Sequence, residues 1–344
     1  MQNVDYIIVG DGYAALFFAH QLILNNKSFV IFSEGKKSAS QISAGIINPV
    51  VLKKFTTFWK AQEQIYFLHK TLNEISLYTQ ENYLIETPIH RVFHDENEQK
   101  LWLNKSNKEE LIDFLDQNFT KIDGVKNNFK SGKVNQSARL NVRHFFDGMK
   151  DFLIQQNKWI QERFDYHQLD NQENKYREFS FKHIVFCEGM GVKFNPFFAE
   201  LPVQPNKGHH IRIKLSESLD SNITIKKKHF LFPLDDELYF YGGTYDRDQI
   251  HENIDESAVK QLENGLSEFY ENEFETKEVH FGFRPTVKDR RPLIGRHSLH
   301  ENLYVFNGLG ARGILNGCFF SKILFDFIDK NYPLPEEIQL NRFQ

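Results

Sequence analysis

Two glycines one residue apart open the most chemically suggestive segment of the chain, Gly10-Asp11-Gly12-Tyr13-Ala14-Ala15. In a GxGxxA turn the first glycine permits a tight bend and the second lets the backbone approach a pyrophosphate. The small third residue lets a helix pack closely on the preceding strand. The first N–H groups of that helix have no intrahelical partner and carry the positive end of its dipole, so they suit an anion. Glu34 stands about 20 residues further on, where an acid accepts hydrogen bonds from a ribose hydroxyl pair. A carboxylate there favours an adenosine ribose without a phosphate, hence FAD or NAD over NADP. Gly10, Gly12, Tyr13, Ala14, Ala15 and Glu34 are therefore read as contacts to a dinucleotide.

These residues need a β-α-β unit to position them, and the flanking sequence reads as one. Residues 6–9 form a short continuous apolar run, as expected of a strand buried on both faces. A helix follows with Ala14, Phe17, Phe18, Leu22 and Ile23 apolar, and residues 28–32 read as the second strand. Residues 59–77 carry Ile65, Leu68, Leu72 and Ile75 at helical spacing. Short β-rich runs at 85–93, 209–215, 230–233, 238–241 and 279–283 are separated by polar turns, with few helices expected between 202 and 284. Residues 142–154 read as a helix and 183–186 as a buried strand ending at Glu188-Gly189. The C-terminal part returns to α/β character, with a strand at 303–306, a glycine turn at 308–313 and an apolar helix at 314–328.

With 344 residues, one or two domains are expected. The 34 phenylalanines suggest a core built largely from aromatic packing. A net charge of −4 provides no global field for nucleic acid or an anionic membrane. The Lys226-Lys227-Lys228 cluster reads as loop decoration. Two widely spaced cysteines in apolar surroundings, Cys187 and Cys318, argue against a disulfide scaffold or a metal site and fit a reducing cytoplasm. The N-terminus lacks the basic run of a signal peptide, and no apolar stretch is long enough to span a membrane. The expectation is a soluble, cytoplasmic protein.

Three further segments choose between FAD and NAD. They are residues 38–45, ending in Ser43-Ala44-Gly45; residues 282–295, a GxRPxxxDxxPxIG pattern; and residues 308–315, Gly308-Leu309-Gly310-Ala311-Arg312-Gly313-Ile314-Leu315. With the N-terminal turn, their order and spacing from residue 5 to about 328 resemble the D-amino-acid oxidase / glycine oxidase family of FAD-dependent oxidoreductases. The resemblance implies an α/β fold: a Rossmann-like FAD-binding domain, with an inserted, mainly antiparallel β-sheet substrate domain. The expected boundaries are 1–82, 138–204 and 286–344 for the first and 83–137 and 205–285 for the second. It also implies that Ser43, Ala44 and Gly45 line one side of the flavin. Gly308, Gly310, Arg312, Gly313, Ile314 and Leu315 would present the second helix N-terminus to its pyrimidine edge, and Gly189 joins the cofactor-contacting set. A helix N-terminus aimed at that edge would stabilise the negative charge that reduction places there. Arg312 either contributes to this or is a surface charge.

In amino-acid-oxidising members the arginine of the GxRP pattern binds the substrate carboxylate, a bidentate task that suits the planar guanidinium of Arg284. The competing assignment is a structural ion pair with an acid such as Asp289. The chain departs from the family where a tyrosine usually precedes a strand-ending proline: Phe230 stands there, before Pro233. Leu309 occupies a position often held by histidine. Tyr239 or Tyr241 is a possible replacement hydroxyl, and His209 or His210 a possible base. Arg284, Tyr241 and His209 are thus the substrate-site candidates. The expected reaction is oxidation of a C–N bond in a small amine or amino-acid-like substrate, with O2 or another electron acceptor. Two alternatives stand beside it: the oxidase half of a tRNA wobble-uridine-modifying enzyme, disfavoured by the overall acidity, and a non-catalytic FAD-binding protein.

Overall fold

The computed structural model describes residues 1–234, 237–248 and 250–343. The apolar run near the N-terminus becomes the strand Gln2–Val9, at the centre of a parallel sheet. Its parallel neighbours are Phe29–Phe32 on one side and Phe179–Phe186 on the other. Trp159–Ile160 and Leu303–Asn307 extend the parallel set outward, and Leu293–Arg296 closes one edge antiparallel. Alternating side chains of the central strand feed two cores, as period-2 geometry requires. Tyr6 and Ile8 join the helices Tyr13–Leu24, Ala61–Thr79, Val142–Gln155 and Gly313–Lys330. Ile7 and Val9 join Val30, Phe32, Phe164 and Phe186 on the other face.

Phenylalanine does much of this packing. Phe32 meets Phe164, Tyr176 and Phe179 edge-on, and Phe17 and Tyr13 meet Phe145. Edge-to-face aromatic pairs add to the burial of their own area. The first and last long helices cross closely because Gly317 has no side chain: a Cβ there would lie 3.2 Å from both Phe17 and Tyr13.

A second, eight-stranded sheet runs in the order Phe274–Thr286, Gln204–Leu215, Tyr239–Gly242, Phe230–Pro233, Thr224–Lys226, Ile89–Val92, Ser131–Val134 and Leu115–Thr120. All its pairings are antiparallel except that between Thr224–Lys226 and Ile89–Val92. The helix Glu256–Ser267 lies within the stretch where few helices are expected; Leu262 and Leu266 pack it under Ile211, Ile213 and Tyr241. The helix Glu96–Ser106, which sequence periodicity does not announce, is capped by Asp95 accepting from the Glu98 N–H and buries Trp102. Among the described residues, no helix is long and apolar enough to cross a membrane.

Candidate active site

The N-terminal turn has the backbone its residue types demand. Gly10 sits at φ +111°, and a Cβ on it would lie 2.5 Å from the Cys187 carbonyl oxygen. Only glycine meets both conditions. Gly12 caps the helix Tyr13–Leu24 without a side-chain bond, although the Tyr13 N–H reaches Ser40 Oγ at 3.3 Å. Asp11 accepts a 2.7 Å hydrogen bond from the Ser33 hydroxyl, and burial pushes its carboxyl pKa up. Glu34 is exposed just past the second strand, 3.1 Å from Lys36 and 3.6 Å from Arg163. Close by, the buried carboxyl of Glu188 accepts from the Tyr166 hydroxyl and from Asn195 Nδ2, and burial raises its pKa. Nothing in residue spacing singles out Glu188, Tyr166 or Asn195.

Tyr13 ties this turn to two distant segments. Its hydroxyl is 2.8 Å from Ser43 Oγ, and its ring lies where a Cβ on Gly313 would be, 2.9 Å away. The side chains of Tyr13, Ala14 and Ala15 are buried in the helix packing, so only their backbone is offered to a ligand. Gly45, at φ +70°, is pinned to the strand Ala138–Leu140: its carbonyl accepts from Leu140 N at 2.8 Å. Ala44 beside it is half-buried.

The other glycine turns converge on the same place. Asn307 Nδ2 donates to the Gly189 carbonyl at 2.8 Å while its Oδ1 accepts from Gly308 N at 2.7 Å. A Cβ on Gly308 would meet Val287 at 2.6 Å, and one on Gly282 would meet Ile42 at 2.4 Å. Gly310 differs: it has φ +58° and nothing within 4 Å of a Cβ position, so its backbone faces open space. The helix Gly313–Lys330 that follows has no side-chain cap from Arg312, and Ile314 and Leu315 in its first turn are buried. Arg312 instead stacks on Phe58, 4.5 Å from the ring centre, and burial lowers its pKa.

Arg284 lies on the strand Phe274–Thr286, which packs against the turn Gly310–Arg312. Its Nη1 donates to Asn206 Oδ1 at 3.2 Å and to the Thr244 carbonyl at 3.0 Å, both uncharged acceptors. The ring centre of Tyr245 is 4.3 Å from its Cζ. Asp289, the alternative partner, is bonded to Arg342 at 2.8 and 3.2 Å. Among the described residues no carboxylate pairs with Arg284, and burial lowers its pKa. A desolvated guanidinium without a counter-ion is costly unless a ligand supplies one.

The other two substrate-site candidates lie elsewhere. Tyr241 is fully buried among Leu262, Leu266 and Phe269, beneath the helix Glu256–Ser267. His209 projects from the face of its strand opposite Arg284. It is buried with Lys207 and Asp255, whose backbone N–H donates to His209 Nε2 at 3.2 Å. Strand alternation explains both placements: Asn206, Gly208 and His210 share the Arg284 face, and Lys207 and His209 the other. His210 therefore sits nearer the guanidinium, but burial holds its pKa down to about 3, which makes it a poor base near neutral pH. Phe230 is paired in register with Gly242, itself paired with His210, so it lies on the Arg284 face without a hydroxyl to offer.

A model of the FAD dependent oxidoreductase family (DAO) matches residues 5–327. The chain belongs to this family. The solved structures it resembles include glycine oxidase from Geobacillus kaustophilus, with TM-score 0.82 and 15% identity over 99% of both chains. Iminodiacetate oxidase from Chelativorans sp. BNC1 aligns with TM-score 0.77 and 16% identity, covering 97% of this chain and 98% of that one. Among curated proteins, it is 26% identical over 152 residues to the bifunctional protein ThiO/ThiG of Trichormus variabilis, covering 42% of this chain and 23% of that protein. It is 27% identical over 131 residues to the tRNA 5-methylaminomethyl-2-thiouridine biosynthesis bifunctional protein MnmC of Idiomarina loihiensis, covering 36% of this chain and 21% of that protein.

As a DAO-family member the chain is an FAD-dependent oxidoreductase, which sets aside the non-catalytic reading. Its own geometry fits the cofactor. Two helices that start without side-chain caps are brought together through Tyr13 and Gly313, and the Gly310 backbone stands open beside the second. Such paired N-termini suit a pyrophosphate and an anionic ring edge.

Proposed function

We propose that the protein oxidises the C–N bond of an amine that carries a carboxylate, an amino acid or N-substituted glycine. The observation that carries this is the half-buried Arg284 guanidinium, bonded among the described residues only to uncharged oxygens, beside the uncapped turn at Gly310. In this reading the Gly10–Ala15 turn would hold the pyrophosphate of FAD, Glu34 its adenosine ribose, and residues 310–315 its ring edge. Ser43, Ala44 and Gly45 would border the ring, and Gly189 would contribute to holding the cofactor.

When bound, FAD supplies the two-electron acceptor for a hydride from the carbon next to nitrogen. Arg284 takes the substrate carboxylate in a two-point bond, which fixes the orientation of that C–H. The substrate amine must be neutral to release a hydride, and desolvation beside the Arg284 cation would lower its pKa. His209 and Tyr241, on the sheet face opposite Arg284, take no part in this reading. The resulting imine is hydrolysed by water to a carbonyl compound and a free amine. Incubation with N-alkyl glycines, followed by assay for the carbonyl and amine products under O2 and under an artificial electron acceptor, tests the reading. Turnover of the parent alkylamines alone would contradict it.

A second reading has an observation of its own. At the site rim, Arg312 stacks on Phe58, and Arg291 stacks on Trp59 at 4.6 Å, a pairing of cations with aromatic faces that suits unstacked bases. In that reading the amine is part of a tRNA base, like the methylaminomethyl group of the uridine named for the MnmC relative. It requires tRNA affinity that falls steeply with salt; affinity unchanged between 50 and 200 mM salt, on the order of a fourfold range, would exclude it.

A further inference from the structure

The Arg284 guanidinium is enclosed from two sides by one short segment and one strand. Thr244 and Asp246 are bonded to the strand Gln204–Leu215: Thr244 N donates to the His209 carbonyl at 3.0 Å and Asp246 N to the Lys207 carbonyl at 2.8 Å. Return bonds run from His209 N to Thr244 Oγ1 at 2.8 Å and from Lys207 N to the Asp246 carbonyl at 2.7 Å. Tyr245 is thereby set opposite Gly208. A Cβ on Gly208 would lie 2.3 Å from Arg284 Nη2, so the guanidinium fills the space between that glycine and the Tyr245 ring. Tyr245 as a residue is nonetheless 67% exposed. An aromatic face stacked on a substrate-binding cation and still open to solvent is a surface that a substrate would cover.

The same two strand residues also hold the far end of this connection. On the opposite face, the buried Lys207 ammonium is 3.0 Å from Asp255 Oδ2 and bonds the Asn253 carbonyl, and His251 Nε2 is 2.9 Å from Asp255 Oδ1. Lys207 and Asp255 are almost completely buried, and breaking such a pair by removing one charge is strongly unfavourable. Lys207 and His209 thus anchor the connection before and after Tyr245.

We propose that Tyr245 is the specificity-determining residue of the site, stacking on the part of the substrate beyond its carboxylate, and that the Lys207–Asp255 pair is the positioning device that keeps it over Arg284. It rests on the carboxylate reading of Arg284, and binding is measured so that the two can fail separately. The probes are phenylacetate and acetate, titrated into the holoprotein while its visible flavin spectrum is followed. The wild type is expected to bind phenylacetate at least about tenfold tighter than acetate, because the phenyl ring gains an aromatic contact and buried apolar area. Tyr245→Ala abolishes that preference and Tyr245→Phe keeps it. Asp255→Asn loses it too, and adding Tyr245→Ala to Asp255→Asn lowers it no further. A wild type without preference, or a preference that survives Tyr245→Ala, overturns the proposal for Tyr245. A preference that survives Asp255→Asn overturns the positioning role. Arg284→Ala tests the underlying reading in the same titration: binding of both carboxylates unchanged in that variant contradicts it, whatever Tyr245 does.

Discussion

Arg284 occupies the volume that any side chain at Gly208 would need: a Cβ there would stand 2.3 Å from Nη2 and 2.4 Å from Nη1. Because the guanidinium carries the proposed carboxylate donors, the smallest possible substitution should move them. Gly208→Ala is expected to raise KM at least about tenfold, a loss of roughly 1.4 kcal/mol in binding, while the flavin spectrum stays unchanged. Steady-state kinetics together with the absorption spectrum checks this.

Removing the charge itself should cost more. Arg284→Met deletes a charge-assisted two-point bond, so kcat/KM should fall by about 100-fold or more. Arg284→Lys should recover only part of it, because an ammonium offers a point charge and no fork. Comparison of kcat/KM for the three proteins on one carboxylate-bearing amine decides the matter.

Gly10→Ala adds a Cβ at positive φ and 2.5 Å from the Cys187 carbonyl. Strain of this kind costs on the order of 1–3 kcal/mol before the clash is counted. The purified variant should carry far less FAD than the wild type, read as the ratio of visible to protein absorbance, and should melt at lower temperature.

Glu34→Ala should have a smaller effect. The carboxylate is exposed and already faces Lys36 and Arg163, which weakens what a ribose bond can contribute. FAD affinity should fall by about tenfold or less, measured by cofactor titration of the apoprotein.

Stability should decline in mild acid. Burial holds His20 and His229 neutral, with pKa values lowered to about 4, and His210 lowered to about 3, against 6.5 for an ordinary histidine. The unfolded chain therefore binds more protons than the native one below that value. This stability is fully present above pH 6.5 and is lost as pH falls from there towards 4 and 3. For the fully buried His20 the limiting loss is about 3 kcal/mol. Thermal melts at pH 7 and pH 5 should show the decline, and His20→Gln should make it shallower.

Much of this architecture is legible in residue order because local and long-range demands coincide. The run at 6–9 reads as a doubly buried strand and becomes the centre of the parallel sheet; residues 230–233 form the strand Phe230–Pro233. The helix Ala61–Thr79 is visible in the spacing of Ile65, Leu68, Leu72 and Ile75. The helix Glu96–Ser106 is not, because its three large apolar residues, Leu101, Trp102 and Leu103, are consecutive instead of helically spaced and only Trp102 of them is buried; its one local signal is Asp95 three residues before Glu98. At the site, Arg284 is announced by its Gly-Phe-Arg-Pro setting, but its surroundings are not. That Gly208 makes room for it, that Thr244 and Tyr245 enclose it, and that Asp289 turns to Arg342 all depend on strand register. The same register separates His210 from His209, neighbours that no sequence pattern tells apart by face.

The carboxylate role of Arg284 is tested most directly by anaerobic mixing of the yellow holoprotein with N-methylglycine and, separately, with dimethylamine, following the visible flavin band. The carboxylate-bearing amine should bleach the band, its decarboxylated counterpart should do so at least about 100-fold more slowly, and Arg284→Met should abolish the difference. Equal bleaching by both amines, or a difference that persists in Arg284→Met, would contradict it.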